Sequence, residues 1–540
     1  MRHRSAQTAA RSRPSFEASW RAGDDKRTAG ALAAEKALKQ RLIDRLQEVV
    51  HARPWIQSAT LTGSFLTSPG LEGISDIDFV LVVEQLQAER FAELQEAFRA
   101  VLEPELAAAN YRLRINSTLG PLKFNDPRTA VLHLMVYSTE AHVNHVIQSP
   151  FTCLDWQRSA TYAKRSLAEI YPVFGLQPRH FISARRSLGD YLKDFRAGVV
   201  SYRELECHDA GYRELPRTKP MDERDRHEFA YHILRFLMQN VLKLVNRRNE
   251  TADGEALLMQ FQRHFPEVAK GLPELYRDLA QRKKKLNFHP PVTRLGERLE
   301  SFMGVLEGTM RRVFIDQATR HLVVRHAATA WNTGGGANVV FQGRRDIPAE
   351  EPRDEDWSAL VAAVGKQEVA TAYVSPVRRT RQTLHWLGER TSLPEAQVDA
   401  RLHEINYGRC EGLTVAQARG EYPQLFAAWH AGEDRKFPGG ECTTDVLYRA
   451  ANFAAERWTD GRHTLTCTHN VVLRCLVGEA LCVPRAEWHR MRIPHLKPIT
   501  FVHTKPFGWF VDLDEATERE IFADFVAAPE SARRIIPVAA

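Results

Sequence analysis

The stretch from Leu322 to Asn332, LVVRHAATAWN, constrains the fold of this chain more than any other. A short apolar run, Leu322-Val323-Val324, delivers Arg325 and His326 into a turn of small residues, and Trp331 and Asn332 follow. Such a run suits a strand buried on both faces of a parallel sheet, and α/β folds place their chemistry at the carboxyl ends of those strands. An arginine beside a histidine there can grip a phosphate with its fork while the imidazole attacks it. Taken alone the dipeptide reads as an ordinary strand end, so the rest of the chain decides.

The 540 residues hold enough sequence for three or four domains, each with its own core. A hydrophobic share of 44% and a charged share of 26% describe a soluble globular protein. The net charge of +7 suits a protein that handles phosphates, nucleotides or nucleic acid, and selects none of them. No apolar run approaches the ~20 residues of a membrane span, and no signal-peptide core follows the N-terminus. The cysteines (Cys153, Cys207, Cys410, Cys442, Cys467, Cys475, Cys482) are odd in number and form no CxxC pair. They read as reduced thiols in a cytoplasmic protein. His463 with His469, and His489 with His495, lack a Cys or carboxylate at the spacing a metal site needs.

In chain order, residues 1–30 form a basic, polar tail. Its Arg/Ser content is similar to that of an organelle transit peptide, but Glu17, Asp24 and Asp25 argue against one. Apolar residues then recur at helical spacing from Ala31 to Val50, and Pro54 closes that helix. Ile56 to Leu61 reads as a strand, Gly63-Ser64 as a turn into a short helix, and Asp76 to Val83 as a second strand opened by two acids.

Asp76 and Asp78 are two apart on a strand, so both point to one face. Two carboxylates forced together call for a hard cation, and Mg²⁺ is commonly bound by such acids together with substrate phosphates. A glycine at Gly63 lets backbone approach a triphosphate closely, and the hydroxyl and N–H of Ser64 can bind its oxygens. The plainer reading is a surface turn beside a solvated acidic pair.

Gly63-Ser64 with Asp76-Ile77-Asp78 resembles the polymerase β-like nucleotidyltransferases. The resemblance implies a small mixed sheet, two Mg²⁺ ions on the acids, a Gly-Ser turn holding the NTP, and transfer of a nucleoside monophosphate. That family adds a third acid on a later strand. Here the later strand, Ala130 to Tyr137, carries His133 at its polar position, and Asp126 lies just before it. A missing third acid would weaken the second metal site or remove the general base.

Residues 151–312 read as mainly helical, with His227 to Val245 the clearest amphipathic helix. A helical domain there would close the nucleotide cleft and supply the acceptor pocket. The basic run Arg282 to Lys285 reads as a solvated helix end, with no aromatic platform for RNA beside it.

The chain restarts with a strand near 313–320, and the opening stretch gains company. Ala370 to Val374 is a strand followed by Ser375-Pro376, Arg378 and Arg379; Leu402-His403-Glu404 leads to Tyr407-Gly408 and Glu411-Gly412; Phe437 to Glu441 is a loop; Leu465 to Thr468 ends at His469. This ordered series resembles the histidine phosphatase superfamily, in its phosphoglycerate-mutase-like branch, over about 320 to 510. The resemblance implies a mainly parallel sheet flanked by helices, with His326 the nucleophile that becomes phosphohistidine. It further implies Arg325, Asn332, Arg379 and His469 on the phosphoryl oxygens, and Glu404 as general acid. Gln342-Gly343 and Asp346-Ile347-Pro348 match the family's substrate-bordering loop. Physically, guanidiniums and a second imidazole answer the charge on a phosphoryl group in transfer, and they favour the neutral form of the attacking histidine. Ala327 and Asn470 replace the glycines usual after each histidine, and Thr468 and Cys442 stand where serine is common. The short region after Cys410 leans to phosphatase over mutase.

The expected architecture is a multidomain α/β chain: a tail (1–30), a mixed-sheet nucleotidyltransferase core (31–150), a helical domain (151–312) and a three-layer α/β/α histidine phosphatase domain (318–540). The expected function is bifunctional, joining Mg²⁺-dependent nucleotidyl transfer to a small-molecule acceptor with hydrolysis of a phosphorylated small molecule, within one pathway. The phosphatase half needs no cofactor. Two alternatives stay open for the first half: modification of a protein or tRNA, or nucleotide binding without catalysis. The nucleotide, the phosphoester and the oligomeric state are not legible.

Overall fold

The computed structural model describes residues 29–67, 76–116, 128–183, 188–208, 211–247, 252–332, 339–458 and 461–527. Nearly all of the expected basic tail, and Asp126, lie outside the described residues. Among the described residues no helix is long and apolar enough to cross a membrane.

The N-terminal strands are β1 (Ile56–Thr62), β2 (Asp76–Val83), β3 (Arg112–Asn116), β4 (Thr129–Ser138) and β5 (Tyr162–Lys164). They form one mixed sheet in the order β3-β4-β2-β1-β5, with β3, β4 and β2 parallel and β1 antiparallel to both its neighbours. One face packs on the helices Ala29–His51 and Ala88–Ala107, through Leu42, Leu46, Leu94 and Phe98. The other face, with Val80, Val82 and Tyr137, joins a cluster shared with Leu473, Leu476 and Val477 of the C-terminal part. Both faces are therefore covered, which is why Phe79 to Val83 is an unbroken apolar run rather than an alternating one.

Two expectations shift here. The sheet runs past residue 150, because β5 pairs with β1. The segment 151–312 is also less helical than expected, since β6 (Val199–His208) and β7 (Gly211–Pro220) form an antiparallel hairpin within it. Its charged residues hide the strand pattern from a reading based on apolar spacing. The core of this segment is the helix Glu223–Asn246, which buries Ile233, Leu234, Leu237 and Val241. Its Asp222 N-cap accepts from the Asp225 N–H, and it ends at Arg247 in the left-handed region (φ 51).

The C-terminal strands are β8 (Thr319–Arg325), β9 (Thr371–Val374), β10 (Ala396–Val398), β11 (Thr464–Thr468), β12 (Ile499–Thr504) and β13 (Gly508–Asp512). Their order is β10-β9-β11-β8-β12-β13; the first four are parallel, and β12 and β13 continue antiparallel. Alternate residues divide between two cores. Leu322, Val324, Val374 and Leu465 pack against Trp357, Leu360 and Leu384, while Val323 and Tyr373 pack against Val446, Phe453 and Leu473. This is the expected three-layer arrangement, and it brings the carboxyl ends of β8, β9 and β11 together.

Candidate functional site

β8 and β11 run parallel with Arg325 opposite Thr468, so the residues that follow them, His326 and His469, emerge side by side. The His326 N–H donates to the Thr468 carbonyl at 3.0 Å, and the two imidazole centroids are 5.0 Å apart. The helix Arg378–Gly388, which follows β9, aims Arg379 between them. Arg379 Nε donates to His326 Nε2 at 3.1 Å, and its Nη2 donates to His469 Nδ1 at 3.2 Å. The same guanidinium is braced by the Gly343 and Arg345 carbonyls, at 2.8 and 2.7 Å.

A guanidinium only donates, so these contacts set both tautomers. His326 must present a lone pair on Nε2 and carry its proton on Nδ1, which donates to the Ala327 carbonyl at 2.6 Å. His469 accepts on Nδ1 and donates from Nε2 to Ser375 Oγ at 2.8 Å. Burial, then the charges of Arg379 and Arg325, hold His326 well below the ordinary histidine range. Burial and Arg379 do the same to His469. The result is a neutral imidazole whose Nε2 lone pair faces a cation, the protonation state a nucleophile needs.

Arg325 is half-buried, bonds the Ile493 carbonyl through Nη1 at 2.7 Å, and is pushed down to about 10 by burial despite the nearby Glu404 carboxylate. Glu404 is buried and accepts from the Ile405 N–H at 2.9 Å and the Val471 N–H at 3.2 Å. Val471 belongs to the first turn of the helix Asn470–Ala480, so the helix that starts at His469 also orients Glu404. Glycine is required at Gly343: its φ is +51, a Cβ would come within 2.6 Å of Glu411 Cδ, and its carbonyl holds Arg379.

Arg325, His326, Arg379, Glu404 and His469 thus converge in one pocket, although Arg325 and His469 are far apart in sequence. Gln342 is buried next to Gly343. Asn332 sits at the edge of this group: its Oδ1 accepts from the Thr329 N–H at 2.9 Å and the Thr329 hydroxyl at 3.0 Å, fixing the turn after His326. Neither Ala327 nor Asn470 adopts a left-handed backbone, so the absence of glycine costs nothing at either position.

Sequence reasoning missed three supports. Thr383 accepts from the Ala327 N–H at 2.9 Å and donates to the Arg379 carbonyl at 2.7 Å, joining the nucleophile's turn to the arginine's helix. Ser375 fixes the His469 tautomer. His495, set aside as a metal ligand, donates from Nδ1 to the His326 carbonyl at 2.6 Å. Each reaches a partner far along the chain (Ala327, His469 and His326 respectively), and no local spacing marks it.

In the N-terminal sheet, Asp76 and Asp78 lie half-exposed on one face at the start of β2. Gly63 follows β1 with φ +79, and a Cβ there would overlap the Asp78 carboxylate. Ser64 opens the short helix Ser64–Thr67. His133 of β4 pairs in register with Asp78, and its Nε2 lies 3.4 Å from Asp76 Oδ1. A histidine therefore stands on the neighbouring strand where a third carboxylate was sought. Among the described residues no group of three or more His, Cys, Asp or Glu is arranged to hold a metal ion. Asp76 and Asp78 are the residues of this face that could contribute to a Mg²⁺ site, and they would leave most of its shell to phosphate or water oxygens.

Comparison with known proteins gives a family match in the C-terminal part. Residues 321–515 match the model of the histidine phosphatase superfamily (branch 1). A glucosyl-3-phosphoglycerate phosphatase of Mycobacterium tuberculosis is 30% identical over 182 residues, covering 32% of this chain and 79% of that protein. A probable phosphoglycerate mutase of Serratia proteamaculans is 25% identical over 197 residues, covering 35% of this chain and 89% of that protein. Among solved structures, a mycobacterial glucosyl-3-phosphoglycerate phosphatase complexed with VO3 is 27% identical, with a TM-score of 0.30, covering 36% of this chain and 98% of that one.

Proposed function

The chain belongs to the histidine phosphatase superfamily, and from that premise we propose that it hydrolyses phosphomonoesters through a phosphohistidine formed on His326. The observation that carries the proposal is the Arg379 Nε contact on His326 Nε2 at 3.1 Å, with the other ring nitrogen tied to the Ala327 carbonyl. His326 Nε2 attacks phosphorus and the P–O ester bond breaks. Glu404, entering the step in its protonated form, gives its proton to the departing oxygen. Water then attacks the phosphohistidine, Glu404 takes a proton back, and the P–N bond breaks to release inorganic phosphate. Arg325, Arg379 and His469 balance the charge on the three equatorial oxygens throughout, with Asn332, Gln342 and Gly343 framing the substrate. No cofactor takes part in this scheme. The similarity to a glucosyl-3-phosphoglycerate phosphatase favours a phosphorylated small molecule of the glycerate or sugar class as substrate. Incubation with ³²P-labelled phosphoesters should give an acid-labile phosphoenzyme and free phosphate, both lost in His326→Ala. Label transferred back to a second sugar or glycerate hydroxyl instead of water would make the protein a mutase.

For the N-terminal sheet we propose binding of an NTP with Mg²⁺ between Gly63-Ser64 and Asp76/Asp78, and transfer of its nucleotidyl group to a small-molecule acceptor with release of pyrophosphate. The close approach of Gly63 to Asp78 supports this reading. Mg²⁺ there would neutralise phosphate charge, while the Ser64 hydroxyl and the backbone N–H groups of its turn would hold the triphosphate oxygens. Calorimetric titration with each NTP and Mg²⁺ should show binding that Asp78→Asn weakens. Binding without any labelled product would leave a nucleotide-binding module, and label recovered on protein or tRNA would move the acceptor to a macromolecule.

A further inference from the structure

A cavity of about 1120 Å³ lies away from both sites, at the junction of the N-terminal sheet region, the helical segment and the phosphatase domain. Its walls come from residues 165–176, the end of the helix Glu223–Asn246, the turn after the helix Asn470–Ala480, and residues 524–527. Phe174, Leu176, Leu481, Phe510 and Phe525 make much of the wall apolar.

The charges that line it are unequal in their pairing. Glu487 is paired with Arg490, and Asp524 with Arg492. Lys243 is held by both oxygens of Asp155, at 2.7 and 2.8 Å. Glu169 is occupied by the backbone N–H and hydroxyl of Ser166 in its capping box. Among the described residues Arg247 has no carboxylate partner; its guanidinium lies over the Phe510 ring, 4.6 Å from the centroid. Partial burial lowers its proton affinity. A cavity with a mixed polar and aromatic wall and a guanidinium that has no carboxylate partner among the described residues suits a small organic anion, because the ligand supplies a counter-charge and covers the aromatic wall.

The cavity is mechanically tied to the catalytic pocket. The helix Asn470–Ala480 has His469 as its N-cap, and the residues at its other end, Ala480, Leu481 and Cys482, line the cavity. This 11-residue helix spans ~16 Å. It is wedged in place, since a Cβ on Gly478 would overlap the Trp488 indole. The Gly175 N–H donates to the Leu481 carbonyl at 2.8 Å, so the opposite rim is bonded directly to the helix end. At the catalytic end, the first turn carries the Val471 N–H that holds Glu404.

We propose that this cavity is a regulatory site for a small organic anion with an apolar body, such as an aromatic or sugar-bearing phosphate or carboxylate, anchored by Arg247. Occupancy shifts the Leu481 end of the helix and so changes the placement of His469 and Glu404. The binding part stands apart from the phosphatase reading, and only the transmitted effect rests on it. The probe is 1-anilinonaphthalene-8-sulfonate, titrated by fluorescence into the full chain with orthovanadate filling the His326 pocket. Saturable binding is expected, weakened at least fivefold in Arg247→Gln and likewise in Ala480→Trp, whose indole intrudes into the cavity. Both variants are to be checked by circular dichroism against the unsubstituted chain. Binding of equal affinity in both folded variants overturns the site. Without vanadate, the probe should change turnover of p-nitrophenyl phosphate at least twofold in the unsubstituted chain and leave Arg247→Gln unaffected. Unchanged turnover at saturating probe overturns the transmission. A chain that binds the probe as expected yet hydrolyses no phosphoester supports the cavity and sinks the phosphatase reading instead.

Discussion

Replacing Thr383 by valine keeps the shape of the side chain and removes one hydroxyl. That hydroxyl donates to the Arg379 carbonyl at 2.7 Å and accepts from the Ala327 N–H at 2.9 Å. The two losses are unequal. The Arg379 carbonyl still has the helix N–H of Thr383 to accept from, because the two residues are one helical turn apart. The Ala327 N–H is buried and its acceptor is the Thr383 hydroxyl, so losing that hydroxyl exposes the donor to the desolvation penalty of an orphaned group, ~1–3 kcal/mol. For a domain of the phosphatase part's size this lowers the melting temperature by roughly 2–4 °C per kcal/mol. The functional effect follows from the next peptide group. The Ala327 carbonyl holds His326 Nδ1–H, so a turn released from Thr383 lets the imidazole rotate away from Arg379. Misplacement of a reacting group by ~1 Å costs up to about 100-fold in rate. Thr383→Val should therefore lose 10- to 100-fold in kcat on p-nitrophenyl phosphate by order of magnitude, with KM changing little. Thr383→Ser, which keeps the hydroxyl, should recover most of it. Differential scanning fluorimetry and steady-state kinetics measure both quantities. A valine variant within twofold of the unsubstituted chain in kcat, at unchanged melting temperature, would refute the idea that this hydroxyl sets the nucleophile's turn.

Gly343→Ala meets the buried side of Glu411, whose Oε1 is already held by the Arg344 N–H at 2.9 Å, and forces an alanine to φ +51. It should lower kcat at least tenfold by loosening the carbonyl that braces Arg379 and cost ~1–3 kcal/mol of stability, read by urea unfolding. His321 is buried, bonds Thr464 Oγ1 at 2.8 Å, stacks on Trp458, and is lowered to about 3 by burial. The unfolded chain protonates it near its ordinary value of 6.5, so its contribution is present in full above that pH and is lost as pH falls from there towards about 3. The slope is at most about 1.4 kcal/mol per pH unit. His321→Gln should flatten the acid limb of the stability–pH profile, and an unchanged limb would rule His321 out as a source of acid sensitivity.

The strands that carry the chemistry were legible because their signals are local. Asp76 to Val83 is the strand expected, and β11 begins one residue before its expected start at Leu465. The convergence of Arg325, Arg379, Glu404 and His469 was legible only through the order of motifs, since no single segment contains the pocket. Thr383, Ser375 and His495 escaped for a physical reason: a buried hydroxyl or imidazole gains its role from a partner that the fold supplies, and their own neighbourhoods look ordinary. The strand pair Val199–His208 and Gly211–Pro220 escaped because charged residues such as Arg203, Glu204, Glu206, Arg213, Glu214 and Arg217 break up its apolar pattern. β5 escaped because three residues carry no periodicity. His133 was flagged from its place on the strand, and the structure sets it beside Asp76.

The cluster that joins Val80, Val82 and Tyr137 to Leu473, Leu476 and Val477 has a consequence in time. Tyr137 and Leu473 are 473 − 137 = 336 residues apart. At ~5–20 residues per second on the ribosome, the helices Thr139–Gln148 and Pro150–Gln157, which bring Val143, Val146 and Trp156 to this cluster, follow β4 within seconds, whereas Leu473 arrives roughly 15–70 s after Tyr137. The face of Val80 and Val82 is therefore closed first by its own neighbours in the chain. A chain stopped before residue 470 keeps that local cover and lacks Leu473, Leu476 and Val477, the share of the cluster that the C-terminal part supplies.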